Sequence, residues 1–245
     1  MTLRIGIAGI TGRMGRLLAE EVEAAGAVPA GGISRGGDIA GLAAGADVVI
    51  DFSHASAAAA HARALASASA GWVLGTSGLA AADEAEVAAA ASRIAVVYAA
   101  NFSPGVTLML ALAEWMAASL PAAGYDAEIV EMHHRQKVDA PSGTAIGLGR
   151  AVAAGRGVAL EAVMRSGRHG DVGPRKEGEI GFASLRGGQV VGEHTLLFAG
   201  ASEHLALVHR AFDRRIYATG AVRAALWLAG RKAGLYSMRD VIGIA

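Results

Sequence analysis

The sequence predicts an α/β protein with a doubly wound parallel sheet, joined to a second α+β domain with a mixed or antiparallel sheet. Three observations predict this fold class. Short apolar runs alternate with alanine-rich helical stretches over the first hundred residues, a rhythm typical of parallel sheets. A glycine-rich loop follows the first apolar run. After Asn101 the pattern changes to strand-like runs joined by glycine turns, which is typical of antiparallel or mixed sheets.

The strands of the first domain are predicted from four apolar runs. These runs are LRIGIA (3–8), ADVVIDF (46–52), GWVLGT (71–76) and RIAVVYA (93–99). Their length and composition indicate buried strands. The alanine-rich segments between them predict helices that start near Arg13, Ala57 and Ala81.

The second domain is predicted from a mixture of helix-like and strand-like segments. Helices are expected over 105–120 and 141–155, and strands over DAEIVEMHH (126–134) and within 178–200 and 203–212. The last segment, 219–242, has a helical pattern with Val222, Leu226 and Ala229 on one side. We expect this segment to pack back on the first domain.

The composition excludes several classes of protein. Lys and Arg (22) balance Asp and Glu (22), so no basic field favours nucleic acid or an acidic membrane. No cysteine is present, which rules out disulfides and thiolate metal sites. Much of the 53% hydrophobic fraction is alanine, and no run resembles a membrane span of about 20 apolar residues or a signal peptide. We therefore expect a cytoplasmic protein.

The glycine loop GIAGITGRMGR places Gly9, Gly12 and Gly15 between the first strand and the first helix. Glycines there let backbone N–H groups approach a pyrophosphate at the positive end of a helix dipole. The pattern predicts a dinucleotide site in a Rossmann-like domain. Taken alone the motif is weak, because glycines also serve turns and close helix packing.

The segment GGISRGG (31–37) bears on the choice of cofactor. An NAD-preferring domain usually has an acidic residue near this point to bind the ribose hydroxyls, whereas this sequence has Ser34 and Arg35. Arg35 is suited to a 2′-phosphate, which favours NADPH over NADH. A solvated loop arginine explains the same residue equally well.

Small or polar residues follow the other predicted strands. Phe52-Ser53, Gly75-Thr76-Ser77 and Ala100-Asn101-Phe102 each come at a strand end. The carboxyl ends of strands in an open parallel sheet line the ligand crevice, so Gly75 and Asn101 are candidates to approach the nicotinamide and its ribose. Ordinary turn chemistry accounts for these residue types almost as well.

The segment EMHHRQKVDAPSGTA (131–145) concentrates the titratable groups. In a strand, Glu131 and His133 share one face with Ala127 and Ile129, so His134 reaches the same ligand only if the strand ends or bends there. The spacing is poor for a metal site. A polar loop with one satisfied histidine remains an alternative. The functional interpretation is proton transfer by a histidine beside a cation, with a helix start at 142–144 that binds a carboxylate.

Five motifs together resemble the 4-hydroxy-tetrahydrodipicolinate reductase family, also called dihydrodipicolinate reductase. They are the glycine loop, GTSG at 75, AANFS at 99, EMHHRQKVDAPSGTA at 131 and GEHT at 192, and the resemblance covers essentially the whole chain. It implies a dinucleotide-binding domain of residues 1–103 and 214–245, and a substrate-binding and oligomerisation domain of residues 104–213. It also implies a homotetramer that reduces a cyclic dicarboxylate with NAD(P)H and without a metal.

The resemblance assigns roles by motif position. His133 is implied as proton donor or acceptor and Lys137 as its catalytic partner, while His134, Gly143 and Thr144 are implied as substrate contacts. The implied cofactor residues are Gly9, Ile10, Thr11, Gly12, Arg13, Met14, Ser34, Arg35, Gly75, Thr76, Ser77, Ala99, Ala100, Asn101 and Phe102.

The sequence departs from the family pattern at three positions. Ser34 replaces an acidic residue, Ala55 stands where a proline often follows the strand end, and Gln136 replaces a histidine found in some members. The first departure weakens an NAD preference. Two other functions stay open from the residues alone: another two-domain dehydrogenase acting on an alcohol or amine, and a regulator that binds NADPH without turnover.

Overall fold

The structure, a computed structural model, describes residues 2–244. The chain folds into two compact units. The first unit contains the chain up to Pro104 and again from Arg214, and the second unit is Gly105–Asp213.

The first unit is built on a six-stranded parallel sheet with the strand order β11-β5-β4-β3-β1-β2. Its strands are β1 Arg4–Ala8, β2 Val28–Ile33, β3 Val48–Asp51, β4 Gly71–Leu74, β5 Ala95–Tyr98 and β11 Gly234–Tyr236. The sheet reverses its order beside β1, because β2 lies on one side of β1 and β3 on the other. In open α/β sheets, this reversal is where ligands bind.

Helices cover the sheet of the first unit and bury its two faces. They are α1 Arg13–Ala24, α2 Ile39–Gly45, α3 Ala58–Ala68, α4 Ala81–Ala91, α8 Arg215–Leu228 and α9 Met238–Ile242, with a short 3₁₀ turn at Ala55–Ala57. One hydrophobic cluster joins β-strand residues to Leu18, Val22 and Leu228. A second cluster contains Leu65 and Trp72. The alternation of strands and helices confirms the predicted parallel sheet.

A buried polar group ends the central strand β3. Asp51 is fully buried, and its carboxylate accepts hydrogen bonds from His61 Nδ1 (2.7 Å), Trp72 Nε1 (3.3 Å) and the Ser53 backbone N–H (3.0 Å). Buried carboxylates are tolerated when they are hydrogen-bonded in this way. The bond from Ser53 fixes the direction in which the chain leaves β3.

The second unit contains a five-stranded mixed sheet with the order β10-β9-β6-β8-β7. Its strands are β6 Asp126–His133, β7 Met164–Ser166, β8 Ile180–Arg186, β9 Gly192–Ala199 and β10 His204–Ala211, and its helices are α5 Pro104–Ser119, α6 Gly143–Gly155 and α7 Leu160–Val163. The central strand β6 pairs parallel to β8 and antiparallel to β9. The helices and one face of the sheet enclose a single hydrophobic cluster. The predicted mixed sheet is thus confirmed.

Several sequence predictions need correction. The helical pattern over 219–242 is wrong beyond Leu228, because the helix ends there, Gly230 adopts a left-handed conformation (φ 78°), and β11 and α9 follow. Leu226 was expected on the packing side but is 43% exposed, whereas Val222 is buried. The helix α2 and the strands β7 and β11 had no predicted counterpart. These elements are short, and short elements carry little periodicity.

Among the described residues, no helix is long and apolar enough to cross a membrane.

Candidate active site

The glycine loop of the first unit joins β1 to α1 as predicted. Gly9 adopts φ 90°, and a Cβ atom at Gly9 would lie 2.6 Å from the Phe52 carbonyl oxygen. The N–H groups of Gly9 and Ile10 both donate to the Ile33 carbonyl oxygen, at 2.8 and 3.1 Å. A side chain at Gly15 would collide with the backbone of Gly9 and Ile10. Gly9 and Gly15 are therefore glycines because the loop folds tightly over the strand ends.

A cavity of about 590 Å³ opens beside this loop, which is within the usual range of about 300–1,000 Å³ for ligand sites. Its wall contains Gly12, Arg13, Met14, Phe52, Ser53, His54, Ala55, Gly75, Thr76, Ser77, Gly78 and Arg214. Six of the predicted cofactor residues, those at 12–14 and 75–77, thus come together on one wall. The other nine lie outside this wall in the described chain. Ser34 and Arg35 are exposed, and the side chain of Asn101 accepts a hydrogen bond from the Ser103 backbone N–H (2.8 Å).

The residues of the wall fit a dinucleotide. Ser53 Oγ and Thr76 Oγ1 are buried and have no hydrogen-bond partner among residues 2–244. Buried polar groups are normally satisfied, so both hydroxyls are suited to a polar ligand. The wall also includes the first turn of α1, with Arg13, where backbone N–H groups and a cation favour phosphate.

The ring of Phe52 shapes the middle of this wall. Its centroid lies 5.6 Å from that of Phe102, and a Cβ atom at Gly75 would collide with the Phe52 ring. Gly75 is therefore small because an aromatic ring occupies the space that a side chain would need. Phe52 and Ser53 lie at a predicted strand end, but the sequence predicts no role for either residue. The sequence predicts no role for Arg214, because this residue follows the glycine loop by about two hundred residues and lies beside it only in the folded chain.

In the second unit, one of the two predicted faces of the strand β6 is buried. Ala127, Ile129, Glu131 and His133 are all buried, and the strand ends at His133. His134 begins a turn, in which the Lys137 N–H donates to its carbonyl oxygen at 3.1 Å. The strand thus ends before His134, which is the condition under which both histidines can face one ligand.

Glu131 lies at the centre of a buried hydrogen-bond network. Its Oε2 atom accepts from His133 Nδ1 (2.6 Å), and its Oε1 atom accepts from the Ser142 backbone N–H (3.2 Å). Arg186 donates to both oxygens, at 2.9 and 2.8 Å. Burial by itself would raise the pKa of Glu131, but hydrogen bonds from Arg186, Ser184 and His133 outweigh it and lower that pKa to about 2. The carboxylate is therefore ionised at neutral pH.

Strand register brings these groups together. His133 on β6 lies opposite Arg186 on β8, and Glu131 lies opposite His194 on β9. His194 Nε2 is 3.2 Å from Ser142 Oγ, and its ring centroid is 5.1 Å from that of His133. His194 belongs to the GEHT motif, which contributes to the family resemblance, but the sequence predicts no role for it. This buried histidine is a site residue that only the structure reveals.

Burial sets the charge of the two histidines. Burial lowers the pKa of His133 below its usual value. The contact with Glu131 acts in the opposite direction, and the positive charges of Lys137 and Arg186 lower the pKa further. Burial, together with repulsion from His133, lowers the pKa of His194 to about 4. Both rings are therefore mainly neutral at pH 7. With Nδ1–H donated to Glu131, the lone pair of His133 lies on Nε2.

The segment after β6 supplies a cation and a helix start. Lys137 Nζ donates to Asp139 Oδ1 at 2.8 Å, and its side chain is 21% exposed. Ser142 caps α6, because its hydroxyl accepts the Ala145 N–H at 3.2 Å. Gly143 is exposed and Thr144 is partly exposed. The Ser142 hydroxyl thus serves the cap and His194, while the positive end of the helix dipole at Gly143 is the feature of this helix start that favours an anion.

Both halves of the chain match one family. Residues 3–102 match the description "Dihydrodipicolinate reductase, N-terminus" and residues 105–242 match "Dihydrodipicolinate reductase, C-terminus". The chain belongs to the dihydrodipicolinate reductase family. The resemblance read from the five motifs is thereby confirmed, and with it the assignment as an NAD(P)-dependent oxidoreductase.

Individual relatives agree with this membership. The chain is 63% identical to the 4-hydroxy-tetrahydrodipicolinate reductase of Granulibacter bethesdensis, over 99% of this chain and 98% of the relative. It is 62% identical to the reductase of the same name from Acidiphilium cryptum, with the same coverage of both chains.

Solved structures extend the likeness of fold. The dipicolinate-bound dihydrodipicolinate reductase from Paenisporosarcina sp. TG-14 aligns over 99% of this chain and all of its own chain, with a TM-score of 0.77 and 22% identity. GenD2 from gentamicin A biosynthesis, solved in complex with NAD, gives a TM-score of 0.54 at 16% identity, over 98% of this chain and 90% of its own. The family thus shares the fold of nucleotide-binding dehydrogenases.

Proposed function

We propose that this protein catalyses the NAD(P)H-dependent reduction of 4-hydroxy-tetrahydrodipicolinate to tetrahydrodipicolinate, with loss of water, in the diaminopimelate route to lysine. The observation that supports the proposal most strongly is that the N-terminal and C-terminal models of the reductase family both match this chain. The two polar sites described above are suited to the two reactants, a dinucleotide and a small dicarboxylate.

The reaction defines what the protein must supply. When bound, NAD(P)H supplies the hydride that reaches C4 of the substrate. The 4-hydroxyl leaves as water and takes up one proton, so the chain must deliver a proton and hold two carboxylates. Proton transfer by a positioned side chain contributes roughly 10²–10⁴-fold to such a reaction.

His133 is assigned the proton transfer and Lys137 is assigned as its partner. The His133 ring is held through Nδ1 by Glu131. Nε2 is then the atom that takes up a proton from solvent and passes it to the substrate, and the Glu131 carboxylate stabilises the charged ring that does so. Lys137 follows four residues later and lies close enough to His133 for its charge to lower the pKa of that ring. An ammonium group in this position also attracts an anionic substrate.

The substrate carboxylates are assigned to the region where β6 leads into α6. His134 lies directly after the strand, and Gly143 and Thr144 form the first turn of the helix. No atom lies within 4 Å of a Cβ built at Gly143, so this helix start has open space beside it for an anion. A helix start favours negative charge through its N–H groups and dipole.

The dinucleotide is assigned to the wall formed by residues 12–14, 52–55 and 75–77 of the first unit. Gly9, Ile10 and Thr11 shape the loop, Ala99, Ala100, Asn101 and Phe102 follow the neighbouring strand β5, and Ser34 and Arg35 follow β2. We favour NADPH over NADH, because Arg35 is cationic and exposed where an acidic residue would select NADH. We further propose a cytoplasmic homotetramer that needs no metal.

The decisive test follows cofactor oxidation with freshly generated 4-hydroxy-tetrahydrodipicolinate. We expect substrate-dependent oxidation of NADPH, followed by the loss of absorbance of the reduced nicotinamide, and a lower KM for NADPH than for NADH. A reaction without substrate is the control. Absence of turnover with either cofactor would overturn the proposal, and a lower KM for NADH would overturn the cofactor preference alone.

A further inference from the structure

Glu131 is a buried carboxylate to which the proposed reaction has so far given no part. It is 1% exposed, and burying an ionised carboxylate is costly unless it is paired and hydrogen-bonded. A role in packing alone would be served by an apolar side chain at lower cost. The surrounding contacts therefore indicate why an acid occupies this position.

The two oxygens of Glu131 contact two different parts of the site. Oε2 accepts the Nδ1–H of His133 at 2.6 Å, and Oε1 accepts the N–H of Ser142, the cap of α6, at 3.2 Å. His133 is the assigned proton-transfer residue, and Ser142 precedes the two residues assigned to the substrate carboxylate. One carboxylate thus fixes the distance between the proton donor and the anion-binding helix start.

Arg186 holds the carboxylate in this orientation. It donates to both oxygens of Glu131, and it also donates to the backbone oxygens of Asp139 (2.6 Å) and Leu185 (2.7 Å). A two-pronged arginine–carboxylate contact fixes geometry as well as charge. Rotation of the Glu131 carboxylate away from His133 would therefore break bonds to Arg186 and Ser142 together.

We propose that Glu131, held by Arg186, is the positioning residue that fixes the tautomer of His133 and its distance from the first turn of α6. The proposal rests on the proposed function, since it names the residue through which His133 acts. A carboxylate can only accept a hydrogen bond, so it selects the tautomer with hydrogen on Nδ1 and leaves Nε2 for the substrate. Buried acids of this kind orient catalytic histidines in other enzymes.

The groups that face His133 set its response to pH. Glu131 contacts it from β6, Arg186 faces it from β8, Lys137 lies on the following turn, and His194 faces it from β9. Glu131 is the one anion in this group of four. Replacing it by a neutral residue leaves two cations and a histidine around His133, and these disfavour its protonated form.

The test replaces Glu131 by its neutral isostere. In Glu131→Gln the amide can donate to His133 and so reverse its tautomer. We expect kcat to fall by roughly 10- to 100-fold, within the range for lost proton transfer, while KM for NADPH stays within about twofold. We also expect the limb of the pH–rate profile that reports His133 to move to lower pH. A role in packing alone would not move that limb.

Glu128→Gln is the matched control. Glu128 lies on the same strand, on the opposite face, and pairs with Arg168 (3.0 Å) and Arg175 (2.9 Å). We expect this variant to keep the wild-type kcat and pH profile. If Glu131→Gln and Glu128→Gln give the same kcat and the same profile, Glu131 is not the positioning residue.

A second measurement applies even if Glu131→Gln does not fold, and it needs no turnover. In the wild-type protein, ¹⁵N NMR of the histidine rings reports which nitrogen carries the proton. We expect Nδ1 of His133 to be protonated at neutral pH, and protonation at Nε2 instead would overturn the proposal. Failure of the wild-type protein to reduce its substrate would count against the proposed function, while the NMR result would still decide the tautomer.

Discussion

The Oγ atom of Ser142 and the Nε2 atom of His194 lie 3.2 Å apart inside the second unit. Ser142 caps α6 with the same hydroxyl, so a strand histidine and a helix cap share one oxygen. His194 Nδ1 is buried without a partner among the described residues. A proton added to this ring would therefore place a charge in the interior with no carboxylate hydrogen-bonded to it among the described residues.

The lowered pKa of His194 predicts how the free energy of unfolding changes in acid. Its pKa is lowered to about 4 in the folded chain, whereas an unfolded histidine titrates near 6.5. The unfolded state thus binds more protons between about pH 6.5 and pH 4, so the free energy of unfolding falls as pH falls through this window. The full contribution is on the order of 3 kcal/mol at pH 4 relative to pH 7.

Denaturant unfolding of wild type and His194→Asn at pH 7.5 and pH 5.0 measures this effect. We expect the wild type to lose about 2 kcal/mol more than the variant between the two pH values. His169→Asn is the control, because His169 is exposed, and it should retain the wild-type pH dependence. Equal losses in wild type and His194→Asn would show that the buried ring does not resist protonation.

His133→Gln tests the proton-transfer assignment. The amide cannot exchange a proton at neutral pH, so we expect kcat to fall by roughly 10²–10⁴-fold while KM for the substrate changes much less. His204→Gln is a suitable control, since His204 is an exposed histidine on β10. An unchanged kcat in His133→Gln would remove His133 from this role.

Arg35→Ala tests the choice of cofactor. Loss of a charge-assisted contact to the 2′-phosphate should raise KM for NADPH by about tenfold, and KM for NADH by much less. Arg63→Ala is the control, because Arg63 is a surface arginine that pairs with Glu86 at 2.8 Å. Steady-state kinetics with each cofactor measure these KM values. Equal effects on the two KM values would show that Arg35 does not contact the 2′-phosphate.

Gly75→Ala tests the role of Phe52 in the wall of the nucleotide cavity. The added methyl group would collide with the Phe52 ring, and Phe102 packs against that ring. We expect a loss of about 1–3 kcal/mol in the free energy of unfolding and weaker NADPH binding in a fluorescence titration. Gly45→Ala, at a position with open space around the added atom, should be neutral. Wild-type stability and binding in Gly75→Ala would show that Phe52 moves freely.

The sequence predicts helix starts and strand faces correctly where the pattern repeats or lies within one short segment. The predicted starts of α1 at Arg13 and of α4 at Ala81 agree with the structure. A glycine loop and an alanine-rich segment each indicate a helix start from only a few neighbouring residues. The grouping of Glu131 and His133 on one face of β6 also agrees with prediction, since side chains alternate along any strand. The tertiary structure decided that this face is the buried one. The strand β11 and the break that separates α9 from α8 were missed, because elements of three to five residues have little periodicity.

The sequence by itself determined the fold class, the family and the segment that holds His133 and Lys137. Only the tertiary structure decided the partners of that segment. Arg186 and His194 reach Glu131 through the register of β8 and β9 against β6. Arg214 lies in the wall of the cavity beside the glycine loop, although it is far from that loop along the chain. Motifs record neighbours along the chain, whereas hydrogen bonds and charge depend on neighbours in space. Strand pairing brings residues that are distant along the chain next to each other in space, and no short stretch of sequence shows which residues will pair.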